Sequence, residues 1–204
     1  MLKETFKELL TKFTADISLI NDLWTEIEVH YSNEKRNYHT LLHLDNLLNQ
    51  LFQVKDKIKN WEAILFTLFY HDIVYNALKS DNEEKSAALA ELRMNQVNVP
   101  TDIIENCKTQ ILATKKHEDH SDADTNYFLD ADLSILGQDT ETYKVYFQNV
   151  RKEYAIYPNL IYNPGRKKVL KHFLAMKRIF KTEYFYHKFE RKAKENLQLE
   201  LNTL

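Results

Sequence analysis

A chain of 204 residues with two glycines and three prolines has little with which to build tight turns. Hairpins and meanders call on Gly, Pro or Asn-Gly at nearly every reversal, so a β-rich fold is disfavoured and long helices are expected. Apolar residues recur at helical spacing over 2–13 and over 15–31, where Ile17, Ile20, Leu23, Trp24 and Ile27 form one stripe. The next helix is expected to begin near Tyr38 and to carry Leu41, Leu42, Leu44, Leu47, Leu48 and Leu51. WEAILFTLFYHDIVY, 61–75, is almost continuously apolar, which places it in the middle of a bundle. A helix over 82–97 follows, with Asp81 and Glu84 spaced as a capping box, then one over 102–117. A short helix, YFLDADLSILG, stops at Gly137. Asp139 opens another to about 157, YPNLIYNPG reads as a loop, and the last two helices cover about 165–180 and 183–201. No repeat or linker divides the chain, so the expectation is one all-α domain over 1–204 with one core.

Charge narrows the function. Lys and Arg number 28 against 30 Asp and Glu, a formal net charge of −2, which removes the electrostatic argument for a general nucleic-acid binder. The longest apolar run, AILFTLFY at 63–70, is far too short to span a bilayer, and MLKETFKELL lacks the apolar core of a signal peptide. The chain therefore reads as soluble and cytoplasmic, without a membrane partner. One cysteine, Cys107, offers no internal disulfide and no zinc knuckle.

The polar residues cluster more than composition requires. RNYHTLLH, 36–43, sets His39 and His43 four apart, one face of a helix. Such a pair can share a metal, divide into one ligand and one proton donor, or form a polar stripe. Further on, His71-Asp72 closes the apolar helix. Adjacent side chains on a helix point about 100° apart and converge only on something at its edge, as a metal ion would be. With His43 upstream and Asp132 in LDADLS downstream, the set becomes two imidazoles and two carboxylates from three helices. That N2O2 set suits Mn²⁺, Fe²⁺, Co²⁺, Ni²⁺ or Zn²⁺, with Mg²⁺ also open, better than Ca²⁺.

The order H…HD…D resembles the HD superfamily of metal-dependent phosphohydrolases, all-helical enzymes defined by that motif. YHTLLH at 38–43 and ADLS at 131–134 look like the corresponding segments of the cyclic-nucleotide phosphodiesterases, whose full catalytic domain is longer than this chain. A closer likeness runs through RNYH, HDIVY, DNEEKSA, ATKKH, LDADLSILG, RKEY and GRKKVL. In this order they resemble a bacterial family described as predicted metal-dependent HD-superfamily phosphohydrolases. The resemblance implies an HD-type bundle holding a divalent ion through His43, His71, Asp72 and Asp132. It also implies that His39 protonates the leaving oxygen.

The substrate class implied is a small-molecule phosphomonoester or phosphodiester, in particular a nucleotide. Its charge calls for cations, and Arg36, Lys115, Lys116, Arg151 and Arg166 stand in the matching segments. Glu83 is a candidate for orienting water, acting as base or binding a second ion, against a plain role in the first turn of its helix. His117 is a candidate second-metal ligand, against a stabilising charge near a helix C-terminus. Asp130 competes with Asp132 for the ligand role; two apart, they cannot face the same way, and the ADLS likeness favours Asp132. Two other functions remain open: a diiron HD-type oxygenase, which would need extra ligands such as Glu83 or His117, and a binding or regulatory protein that keeps the fold without turnover.

Overall fold

The computed structural model describes all of residues 1–204, and every regular element in it is helical: ten α-helices, two 3₁₀ turns and no strand. The all-α expectation is met. The chain forms two compact units, Met1–Leu129 and Asp130–Leu204.

The first unit holds α1 (Leu2–Leu10), α2 (Ile17–Tyr31), α3 (Leu41–Phe52), α4 (Trp61–Tyr70), α5 (Asn82–Gln96), α6 (Thr101–Ala113) and most of α7 (Ala123–Asp132). As its apolar sequence requires, α4 is buried on every side from Ala63 to Tyr70, packed by α1, α3, α5 and α6. Phe6 meets Phe69 edge-on at 4.9 Å between centroids, and Trp24 does so at 6.5 Å. Thr67, buried inside α4, donates to the buried Gln110 Oε1 of α6 at 2.6 Å, so its hydroxyl is satisfied. Ile20, Leu23, Trp24 and Ile27 are buried as the stripe predicts, whereas Ile17 is exposed at the helix start. Cys107 is buried, and burial pushes its thiol up to about 12, which suits an inert core residue.

Several helix ends differ from the sequence expectation. The helix expected over 61–75 ends at Tyr70. The one expected through 117 ends at Ala113, and His117 takes the left-handed conformation (φ 51°) with its N–H on the Ala113 carbonyl, a reversal glycine usually makes. Asp81 is the N-cap of α5 but forms no capping box. Its carboxylate pairs with Lys85 at 2.8 Å, and Glu84 turns to Lys115.

The second unit begins with the last turn of α7 and a 3₁₀ turn, Leu133–Gly137, followed by α8 (Thr140–Glu153), α9 (Asn159–Ala175) and α10 (Glu183–Thr203). The 3₁₀ turn packs on α10 so closely that a Cβ at Gly137 would overlap Phe189, with the Phe189 Cα 2.9 Å away. YPNLIYNPG is not a loop. Pro158 caps α9, which runs through Pro164. Proline there removes the N–H that would bond the Leu160 carbonyl, and Leu160 is 88% exposed, so water can satisfy that carbonyl.

Candidate metal centre

The segment before α3 sets the first half of the site. Thr40 is the N-cap in extended conformation (φ −114°, ψ 178°), so α3 starts at Leu41 and His39 lies outside it. The two histidines are therefore not an i, i+4 pair on one helix, contrary to expectation. Their rings nevertheless stand 5.8 Å apart, because the extended residues fold His39 back beside the first turn. His39 lies against Tyr75 at 4.3 Å, the rings tilted by 30°, and edge-on to Tyr38 at 4.9 Å.

The second half comes from the end of α4. His71 is its C-cap, fully buried, with Nδ1 3.1 Å from the Leu68 carbonyl. A carbonyl only accepts, so Nδ1 carries the hydrogen, which leaves the Nε2 lone pair facing away from the helix, as a ligating imidazole requires. His71 Nε2 lies 3.2 Å from His43 Nε2. Two nitrogens about 2.1 Å from one ion and this far apart subtend about 100° at it, within reach of tetrahedral or octahedral coordination. Because α4 stops at Tyr70, Asp72 is free to bend back: its Oδ2 is 3.2 Å from His71 Nε2, 3.8 Å from His39 Nε2 and 4.0 Å from His43 Nε2.

The remaining carboxylate arrives on α7. Asp124, buried in its first turn, accepts from the backbone N–H groups of Lys59 (3.0 Å) and Asn60 (2.7 Å), tying α7 to the entrance of α4. One turn on, Phe128 meets the His71 ring edge-on at 5.5 Å. Asp132 follows Phe128 by four residues and shares its helix face. His43, His71 and Asp132 form a group that could hold a metal ion, with ligand atoms all within 4.8 Å of one another.

Asp130 is placed differently. It is fully buried and accepts from the Lys181 N–H (2.8 Å), the Thr182 N–H (2.7 Å) and the Thr182 hydroxyl (2.7 Å), anchoring the start of α10. Its oxygens are spent on that turn, which separates its role from that of Asp132.

The expected phosphate-binding cations are also committed elsewhere. Arg36, 8% exposed, donates to the carbonyls of His39 (3.1 Å), Asp72 (2.8 Å) and Ile73 (2.8 Å), with its guanidinium over the Tyr31 ring at 4.7 Å. It clamps the His39 segment to the turn that carries Asp72, satisfying backbone carbonyls of the chain just beyond the end of α4. Arg151 donates to the carbonyls of Tyr154 and Tyr157, closing the C-terminus of α8, and Arg166 is paired with buried Glu200. Lys115 donates to the Ser80 carbonyl at 2.7 Å and pairs with Glu84, with Glu83 3.7 Å away. Glu83 is thus engaged at the start of α5, and neither it nor His117 belongs to the group able to hold an ion.

Arg36→Ala should destabilise the protein by about 2–3 kcal/mol, since it strands carbonyls at a buried turn. Arg36→Lys should recover only part of this, because one ammonium lacks the fork that reaches three acceptors. Urea unfolding of the three proteins measures it, and equal midpoints would show that the clamp carries no stability.

Sequence reading gave no role to Asn82, Ser86 or Asp124. Asn82 exchanges two hydrogen bonds with the Asn76 backbone, and Ser86 Oγ accepts from the Val74 N–H at 3.1 Å, so the DNEEKSA segment holds the chain leaving Asp72. Their only sequence signal is polar type near the start of a helix. The chain matches no protein-family model, no curated protein and no solved structure.

Proposed function

We propose that this protein is a metal-dependent phosphohydrolase acting on a small phosphomonoester or phosphodiester, in particular a nucleotide. The observation that carries this reading is the convergence of three imidazole Nε2 atoms on the Asp72 carboxylate, with Asp132 in the group able to hold an ion. A divalent ion there supplies Lewis acidity, polarising a phosphoryl oxygen and bringing the pKa of water from 15.7 to about 7.

The chain's own residues divide the remaining work. His43, His71, Asp72 and Asp132 would hold the ion, with the Leu68 carbonyl fixing the His71 tautomer. His39, at the half-exposed edge of the cluster and braced by Tyr75, is the group able to carry a proton at Nε2 and deliver it to the leaving oxygen. Of the five cations expected to meet the phosphate, Arg36, Lys115, Arg151 and Arg166 are engaged in the fold, which puts more of that charge on the ion.

Protein purified without chelator and supplied with Mn²⁺ should release inorganic phosphate or a nucleoside product from a member of a nucleotide panel. The His71→Ala/Asp72→Ala double variant should lose both metal and turnover. Full activity in that variant would overturn the assignment. O₂ consumption by iron-loaded protein, with no product from the panel, would replace hydrolysis with oxygenation.

A further inference from the structure

A second feature lies outside the metal centre and is explained by neither the fold nor the proposed chemistry. In a chain of net charge −2, residues 154–182 contain no Asp or Glu and seven Lys or Arg. Three of the seven face carboxylates: Arg166 with Glu200, Arg178 with Glu183, and Lys181 near Asp130. The other four, Lys167, Lys168, Lys171 and Lys177, make no ion pair, and Lys168, Lys171 and Lys177 are exposed. Elsewhere Lys12, Lys85, Lys108, Lys115, Lys144, Lys192 and Lys194 each find a carboxylate. Lys55, Lys57, Lys59 and several others also lack one, but over 154–182 the basic residues have no acidic residue among them, so α9 and its exit carry a local positive charge.

The start of the same helix, with Ile156 just before it, exposes aliphatic side chains that a folded interior would take. Leu160 is 88% exposed, Ile156 66% and Ile161 58%. At 100° per residue, Leu160, Ile161, Pro164, Lys168, Lys171 and His172 fall within an arc of about 120°. The buried Tyr162 and Leu170 lie outside that arc. Along the axis the residues are segregated: aliphatics occupy the first turn and lysines begin seven residues later, about 10 Å away.

We propose that the exposed face of α9, with Ile156 before it, docks on an anionic lipid bilayer. Leu160, Ile161 and Ile156 enter the acyl boundary while Lys167, Lys168 and Lys171 meet the headgroup phosphates. Charge complementarity selects the anionic surface, and the aliphatic end selects lipid over nucleic acid. A phosphate backbone has no use for three exposed aliphatics, and the unpaired cations are all lysine, point charges without the guanidinium fork that reads bases. Docking needs no spanning segment, and no helix here is long and apolar enough to cross a membrane.

Full-length protein should sediment with vesicles of phosphatidylcholine and phosphatidylserine and stay in solution with phosphatidylcholine alone. Binding should weaken as salt rises. At roughly fivefold per lysine, Lys168→Glu/Lys171→Glu should lower vesicle affinity at least 25-fold. Leu160→Ser/Ile161→Ser should lower it at least tenfold while its circular dichroism stays that of the parent. Equal sedimentation with both vesicle types, or no binding to either, overturns the proposal. So does oligonucleotide binding that follows the lysines and ignores Leu160 and Ile161. Self-association abolished by Leu160→Ser without any vesicle binding would assign the face to a second copy instead and also overturn it.

Discussion

His43→Ala will leave the protein unable to retain a divalent ion through dialysis, whereas His39→Ala will retain it and lose turnover. The two histidines are four residues apart in sequence, yet only His43 lies within α3 and in the group that could hold a metal ion. His43 sits in the first turn of α3, buried, with Nε2 3.2 Å from His71 Nε2, the spacing of two nitrogens around one ion. Removing it takes one of the nitrogens, and the loss of affinity should exceed the roughly 10–100-fold seen when only a supporting residue is removed. His39 precedes the helix cap and lies 3.8 Å from Asp72 Oδ2, packed against Tyr75. Its loss removes a proton donor, worth about 10²–10⁴ in rate, and spares the ligand set. Metal content measured beside phosphate release separates the two outcomes. Equal metal loss in both variants would mean that the pair grips the ion together, and the proton-transfer role would fall.

Arg166→Ala will cost about 3–5 kcal/mol of stability, the effect expected when a buried carboxylate loses its partner. Glu200 is 1% exposed and accepts from Arg166 Nε at 2.7 Å and Nη2 at 2.9 Å, with the Tyr143 hydroxyl as a third donor. Burial, reinforced by the Glu200 charge, holds the Tyr143 phenol well above its ordinary range, so it remains protonated and donating throughout the accessible pH range. This triad joins α8, α9 and α10 in the second unit, which the loss should loosen first. Desolvating both charges is expensive, so the apolar double variant Arg166→Met/Glu200→Leu should regain most of the lost stability even though it lacks the pair. Urea denaturation supplies the test. An Arg166→Ala protein within about 1 kcal/mol of the parent would mean that water reaches Glu200 and that the pair behaves like one at the surface.

The candidate metal site was legible in the sequence to the extent that its residue types are rare and ordered. His43, His71 and Asp132 can be picked out by chemistry and spacing, and the fold brings them into one group that could hold a metal ion; Asp72 lies 3.2 Å from His71 Nε2 but outside that group. The charged residues around it were read less well. An arginine in a conspicuous segment invites a phosphate, and only the fold reveals that Arg36 faces three carbonyls. Asp130 and Asp132 differ in sequence by two positions and in role by what each meets, the α10 entrance for one and the metal-capable group for the other.

What the sequence determined by itself is the all-helical class, the burial of α4 and the chemical identity of the cluster. Each depends on composition and on periodicity within a single segment, which local sterics and hydrophobic burial enforce wherever the segment lies. Only the tertiary structure decided where the helices stop and which polar groups are spent. α4 ends at Tyr70, and Arg36, distant in sequence, donates to the carbonyls of Asp72 and Ile73 just beyond it. α9 runs through Pro164 because its orphaned carbonyl faces water. A hydrogen bond between distant segments leaves no period in either, so the division of His39 from His43 and of Asp130 from Asp132 exists only once the chain has folded.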